Sequence, residues 1–133
     1  MFFVYQLFLI ILIIISPFII FYRILKNKED KKRFIEKFSI STEKKIEGKL
    51  IWFHGASVGE ILSIIPIIDY YENDKSITQI LITSSTLSSS KIIKKYKFKK
   101  TIHQFYPIDQ SYFVNKFLNY WKPSIAIFID SEI

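Results

Sequence analysis

The sequence predicts an α/β fold with a parallel sheet, preceded by one transmembrane helix. Two observations support this prediction. From residue 49 onward, short apolar runs alternate with longer amphipathic runs, which is typical of parallel strands joined by helical crossovers. Ahead of them, residues 2–22 form an apolar run that contains no charged side chain.

The apolar run is long enough to cross a membrane. As a helix it would be about 31 Å long, close to the hydrocarbon thickness of a bilayer. Tyr5 and Tyr22 lie near its two ends, where interfacial aromatic side chains are common. A cleaved signal peptide would need positive charge before the run and a small-residue cleavage site after it, but "FYRILKNK" follows. We therefore expect a retained anchor over residues 1–22.

The basic segment after the anchor predicts its orientation. Residues 23–37 contain seven Lys or Arg and three acidic residues. Positive charge beside a span stays in the cytoplasm, so we expect the rest of the chain there. The juxtamembrane segment, residues 23–48, would have a solvated basic face or contact anionic lipid head groups, and both can hold. No nucleic-acid recognition motif accompanies these charges, so nucleic acid is not an expected partner.

The composition excludes several kinds of site. The chain has 133 residues and a net charge of +7, which suggests one domain at most. It contains no cysteine, which excludes disulfides, a thiol nucleophile and thiolate metal ligands.

The hydrophobic pattern predicts alternating strands and helices in the soluble part, residues 49–133. Expected strands are 49–54, 79–84, 101–107 and 124–130, and expected helices are 60–73, 87–97 and 109–121. Pro66 should kink or break the first of these helices, and Asp109 is the N-cap candidate of the last. The strands are nearly continuous apolar runs, as strands buried on both faces should be. Because the chain stops after the last strand, we expect an incomplete domain, as in a truncated frame or a fragment.

The stretch "GASVGE", residues 55–60, contains a literal G-x-S-x-G followed by Glu60. It follows a strand, and ligands bind outside the carboxyl ends of strands in open parallel sheets. A nucleophile at Ser57 would need an oxyanion loop from an earlier strand, and only anchor and basic linker precede it. A Walker loop would need lysine at the position of Glu60, and G-x-G-x-x-G is absent. His54 and His103 lie on predicted strands without a third metal ligand, so we expect them to pack near the sheet.

Glu60 is the remaining candidate. It falls in the first turn of a helix, where the positive end of the dipole favours an ionised carboxylate. Such a carboxylate suits a general base that accepts a proton from a hydroxyl. The alternative is that Glu60 is only a favourable first-turn residue, and spacing alone does not separate the two.

The stretch "WFHGASVGE" resembles the signature turn of the 3-deoxy-D-manno-octulosonic acid (Kdo) transferases, which attach Kdo to the lipid A precursor in lipopolysaccharide assembly. Four further segments resemble that family in the same order, over essentially the whole chain: "KRFIEKF", "LITSST", "HQFYPID" and "KPSIAIFIDSE". Three features depart from the usual pattern: Leu87–Ser89 replace Pro-Thr-Gly, Ile35 replaces a glycine, and the chain ends where Trp-Pro usually follows.

The resemblance implies a Rossmann-like domain, the N-terminal, acceptor-binding half of a glycosyltransferase B fold. It implies that Glu60 is the general base and that Glu132 is a second carboxylate stabilising the transition state. Ser57 would be a turn residue or a substrate contact and not a nucleophile, and Gly59 would contact substrate. The donor would be CMP-Kdo, held largely by a C-terminal domain, and the acceptor the lipid A precursor. The reaction would be inverting and need no metal or cofactor.

The same resemblance implies a single-pass protein of the inner (cytoplasmic) membrane with its catalytic side in the cytoplasm. Without the second domain the isolated chain should be inactive. The alternative from another class is a non-catalytic, membrane-anchored binding module that retains the acceptor-side fold.

Overall fold

The computed structural model describes residues 1–130, in two compact units that divide between Phe34 and Ile35. The first unit is dominated by helix α1, Phe2–Leu25, of 24 residues. At 1.5 Å per residue α1 is about 36 Å long. It is long and apolar enough to cross a membrane, as predicted.

Helix α1 continues through Pro17 because a neighbouring side chain replaces the missing donor. Proline lacks the N–H that would otherwise donate to the carbonyl four residues earlier, which here is that of Ile13. The hydroxyl of Ser16 donates to this carbonyl oxygen at 2.7 Å. Serine side chains satisfy freed backbone groups in this way in transmembrane helices, where water is absent.

The second unit is built on a four-stranded sheet in which every pairing is parallel, as predicted. Its strands are β1 (Leu50–Gly55), β2 (Gln79–Ser84), β3 (Thr101–Phe105) and β4 (Ile125–Ile129). Their order across the sheet is β3-β2-β1-β4. The chain therefore moves outward from β1 to β3 and then returns to β1's other side, which makes the carboxyl ends of β1 and β4 the topological switch point.

Three helices cover the two faces of the sheet: α2 (Val58–Glu72), α3 (Leu87–Lys95) and α4 (Ser111–Trp121). Alternate strand residues point to opposite faces. One face packs with α2 and α3 in a core of isoleucines around Phe53. On the other face, Trp52 packs with Phe117 and Trp121 of α4. Burial on both faces explains why β1 and β2 are nearly continuous apolar runs.

Of the kink or break expected at Pro66, the break is wrong. Helix α2 runs through this residue as one element to Glu72. Pro66 lies on the exposed face, while Ile61, Ile64 and Ile68 are buried on the other. The proline therefore removes one hydrogen bond on the solvent side, where water can bind the freed carbonyl, and the packed face is unaffected.

The prediction of Asp109 as an N-cap is also wrong. Helix α4 begins after Gln110, whose side-chain oxygen accepts a hydrogen bond from the Tyr112 amide at 2.9 Å. Asp109 lies one residue too early to reach the first-turn amides, so the less usual glutamine takes this role.

The segment from Ile35 to Ile46 packs on the sheet, although the sequence groups it with the basic juxtamembrane residues. It begins with a short 3-10 helix, Phe34–Phe38. The buried Glu36 carboxylate accepts hydrogen bonds from the Phe105 amide, at 2.8 Å, and from the Thr42 hydroxyl. Further along, the Ile46 amide donates to the side-chain oxygen of Gln79 at 2.9 Å. The first of these contacts lies at β3 and the second at β2, and the second unit extends back to Ile35.

Strand β4 is the most exposed of the four strands within residues 1–130. Ile125 and Phe128 are 46% and 55% exposed.

Candidate active site

The turn from β1 into α2 lies at the switch point of the sheet. Residues Gly55 to Ser57 lead from the carboxyl end of β1 to the first turn of α2. Ala56, Ser57 and Gly59 are exposed, and Glu60 is partly buried. The predicted site residues that the structure describes therefore lie together at the sheet edge where ligands of open α/β folds bind.

Ser57 and Glu60 form a capping box at the start of α2. The Ser57 hydroxyl accepts a hydrogen bond from the Glu60 amide at 3.2 Å. In return, Glu60 Oε2 accepts from the amides of Ala56, at 2.7 Å, and Ser57, at 3.4 Å. The first amides of a helix have no partner within it, and this arrangement satisfies several of them at once.

The capping box fixes the position of the Glu60 carboxylate. It holds the carboxylate against the turn, where the N-terminus of α2 stabilises its negative charge. The same carboxylate oxygens that accept hydrogen bonds from amides can also accept a proton. The structural role and the role of a base are therefore compatible in the same side chain.

The two glycines nearest Glu60 differ in what surrounds them. A Cβ at Gly55 would lie 3.0 Å from Ile61 Cδ1 and 3.2 Å from Glu60 Cβ. Glycine is thus needed there for α2 to pack closely on the end of β1. A Cβ at Gly59 would enter open space, with Ser57 Oγ 4.0 Å away as its nearest atom. The fold does not require glycine at position 59, and its exposed backbone is open to a ligand.

Both histidines are packed on the sheet, as predicted. His54 Nδ1 lies 2.9 Å from the hydroxyl of Thr83 on the neighbouring strand. His103 is buried, with Nε2 2.7 Å from the hydroxyl of Ser84. Residues 1–130 contain no group of three histidine or acidic side chains that could hold a metal ion.

Burial lowers the pKa of His54 below its ordinary value of 6.5. A hydrogen bond with the Thr83 backbone and the negative charge of Glu60 raise it, and they offset only part of this effect. The imidazole of His54 is consequently mainly neutral at pH 7.

The hydrogen-bond partners of Ser57 and Ser84 argue against a serine nucleophile. Ser84 is within hydrogen-bond distance of an imidazole, but it and His103 are only 0% and 6% exposed, so a substrate cannot reach them. Ser57 is exposed, and its hydroxyl is engaged by the Glu60 amide instead of a histidine. A nucleophile needs both access and a base.

Two residues beside the site were missed by the sequence-based predictions. Thr83 holds His54, and the ring of Tyr106 lies 4.2 Å from that of His54 between centroids. Burial, and then the charge of Asp109, raise the pKa of Tyr106. The strand register pairs His54 with Thr83, and both contacts join residues that are far apart in the sequence.

Two sequence predictions concern residues beyond the turn. Glu132 lies outside the described residues. Leu87, Ser88 and Ser89, where the sequence departs from Pro-Thr-Gly, form the first turn of α3, with Thr86 as N-cap.

A parallel sheet with helices on both faces and a capped, carboxylate-bearing turn at its switch point defines a Rossmann-like α/β domain. The family described as "3-Deoxy-D-manno-octulosonic-acid transferase (kdotransferase)" matches residues 31–133. The chain belongs to this Kdo transferase family.

Curated relatives agree with this assignment. A "3-deoxy-D-manno-octulosonic acid transferase" of Rickettsia bellii is 42% identical over 115 residues, which cover 86% of this chain and 28% of the relative. A "Probable 3-deoxy-D-manno-octulosonic acid transferase, mitochondrial" of Arabidopsis thaliana is 35% identical over 134 residues, 98% of this chain and 30% of the relative. The chain thus spans less than a third of the length of these relatives. No solved structure matches.

Proposed function

We propose that this chain is the N-terminal, acceptor-side part of a glycosyltransferase B enzyme that transfers Kdo from CMP-Kdo to the lipid A precursor. The observation that carries the proposal is the position of Glu60. Its carboxylate is fixed by backbone amides at the switch point, beside an exposed glycine with open space around it. The relatives that are named as Kdo transferases support the type of reaction.

In the proposed reaction Glu60 accepts the proton of an acceptor hydroxyl. The hydroxyl oxygen forms a bond to the anomeric carbon of Kdo on the face opposite the leaving group, which inverts its configuration. The bond from that carbon to the CMP phosphate oxygen breaks, and its electrons stay on CMP. Glu60 retains the proton. This step needs no metal ion or further cofactor.

Three other residues have proposed supporting roles. Gly59 lets the acceptor approach the backbone, and Ser57 keeps the turn and Glu60 in place while it contacts substrate. Glu132 supplies a second carboxylate that stabilises positive charge developing on the Kdo ring in the transition state. Negative charge placed where positive charge develops lowers the barrier.

The donor site is proposed to belong mainly to a C-terminal domain. The relatives are more than three times as long as the segment they share with this chain. Residues 1–133 alone are therefore expected to be inactive. The alternative is a non-catalytic binding module, and the experiments below distinguish it from an enzyme.

We propose that α1 anchors the chain in the inner membrane as a single span, with the sheet in the cytoplasm. The basic residues after α1 support this orientation. Fusions of alkaline phosphatase and of a fluorescent protein after Ile133 test it. The fluorescent fusion should be active and the phosphatase fusion inactive, and the reverse result would place the sheet outside the cytoplasm.

The activity is tested with a chimera in which residues 1–133 replace the matching N-terminal segment of the Rickettsia bellii relative. Transfer of radiolabelled Kdo from CMP-Kdo to a lipid A precursor is measured in membranes. The chimera should transfer Kdo, and residues 1–133 alone should not. A chimera that is folded, binds the acceptor and transfers nothing would favour the binding module.

A further inference from the structure

His54 holds a defined position at the edge of the candidate site. It precedes Gly55 at the carboxyl end of β1. Its side chain lies on the same face of the sheet as Trp52, two residues earlier. The turn that follows Gly55 carries Glu60 in the first turn of α2, and the negative charge of Glu60 acts on the imidazole.

One edge of the His54 ring is fixed by a buried hydroxyl. Thr83 is 0% exposed, and its Oγ1 lies 2.9 Å from His54 Nδ1. The indole N–H of Trp52 donates to the same oxygen at 2.8 Å. Because the tryptophan and the threonine are both buried, they form a rigid support for the imidazole.

Two aromatic rings flank the imidazole. The ring centroid of Tyr106 is 4.2 Å from that of His54, and that of Phe128 is 5.5 Å away. Tyr106 is partly buried and Phe128 is 55% exposed. The contacts with these two rings therefore restrict the orientation of the imidazole.

The second ring nitrogen of His54, Nε2, makes no hydrogen bond to a side chain within residues 1–130. Within residues 1–130, the side-chain hydrogen bond of His54 is made by Nδ1, and the ring is half-buried. A mainly neutral imidazole suits a hydroxyl partner, because it neither needs nor attracts a full negative charge.

We propose that His54 is a substrate-binding residue that contacts a sugar hydroxyl of the glycolipid acceptor through Nε2 and so orients the acceptor towards Glu60. This inference rests on the proposed function, because it names the group that holds the acceptor in the same site. Tyr106 and Phe128 form the sides of this subsite, and Thr83 is a positioning residue that acts through His54.

The test uses the chimera and two replacements of His54. In His54→Gln the side-chain amide nitrogen reaches the position of Nε2, and in His54→Asn it reaches only that of Nδ1. His54→Asn should raise the KM for the acceptor about two- to tenfold, the effect of one neutral hydrogen bond, with little change in the KM for CMP-Kdo. His54→Gln should restore much of the acceptor KM. Thr83→Val should give an intermediate rise, and Thr83→Ser should give none.

The outcomes separate this proposal from the proposed function. If the unaltered chimera transfers no Kdo, the proposed function is wrong, and this inference is wrong with it. If the chimera is active and depends on Glu60, but His54→Asn leaves the acceptor KM unchanged, only the assignment of His54 fails. Equal loss of thermal stability and of turnover in both His54 variants, without a change in acceptor KM, would show a purely structural histidine and would also overturn the assignment.

Discussion

Ser57 and Glu60 each bind the backbone amide of the other: Glu60 N–H donates to Ser57 Oγ at 3.2 Å, and Ser57 N–H donates to Glu60 Oε2 at 3.4 Å. This reciprocal cap gives Ser57, the serine of the G-x-S-x-G sequence, a structural role. The serine begins a helix, and in doing so it helps to hold the carboxylate at the edge of the sheet. The two residues therefore act together in structure, while the proposed chemistry belongs to Glu60.

Replacement of Ser57 should affect stability more than chemistry. Ser57→Ala removes the N-cap and should lower the free energy of unfolding by about 0.5–2 kcal/mol. Turnover should fall by roughly tenfold at most. Thermal unfolding and Kdo transfer, both measured on the chimera, check this. Ser57→Thr retains a capping hydroxyl and is the matched control; a nucleophilic role would instead abolish turnover in Ser57→Ala without a change in stability.

Replacement of Gly59 by alanine should weaken acceptor binding without lowering stability. In Gly59→Ala the new methyl group enters open space, and alanine favours a helix by up to about 1 kcal/mol, so stability should be kept or rise slightly. The KM for the acceptor should rise, because the methyl group occupies the surface where substrate approaches. Gly55→Ala is the contrasting variant, since its Cβ would lie 3.0 Å from Ile61 Cδ1 and should lower the melting temperature. An unchanged acceptor KM in Gly59→Ala would remove Gly59 from the site.

Replacement of Glu36 should loosen the segment that covers β3. Glu36→Ala leaves the buried amide of Phe105 without its acceptor, which should cost about 1–3 kcal/mol of stability. Glu36→Gln keeps an oxygen for that amide and should cost less. Hydrogen exchange of the Phe105 amide, followed in both variants, directly measures the loss of its hydrogen bond to residue 36. Equal protection in Glu36→Ala and in the unaltered protein would contradict this role.

The parallel sheet was predictable because the signals that define it are local. Short apolar runs, amphipathic runs between them and the long apolar N-terminal segment each occupy one stretch of sequence. The boundaries were less predictable: α2 continues through Pro66 because that residue faces solvent, and Gln110 caps α4 in place of Asp109. Both outcomes depend on three-dimensional position.

The candidate site was predictable only where its residues are adjacent in sequence. Ser57, Gly59 and Glu60 lie in one turn, so their proximity follows from the spacing. The contact of His54 with Thr83 depends on the register of two strands, and the bond of Glu36 to Phe105 joins residues 69 positions apart. No local pattern contains that information.

The most direct test of the account is Glu60→Gln in the chimera. Glutamine retains an oxygen that can complete the capping box, so the melting temperature and acceptor binding should change little. It cannot accept the proton, so kcat should fall by about 10²–10⁴-fold. The assay is transfer of radiolabelled Kdo at matched expression, with the melting temperature measured on the same samples. A variant that keeps most of its turnover would show that Glu60 is only a helix cap, and the proposed mechanism would be wrong.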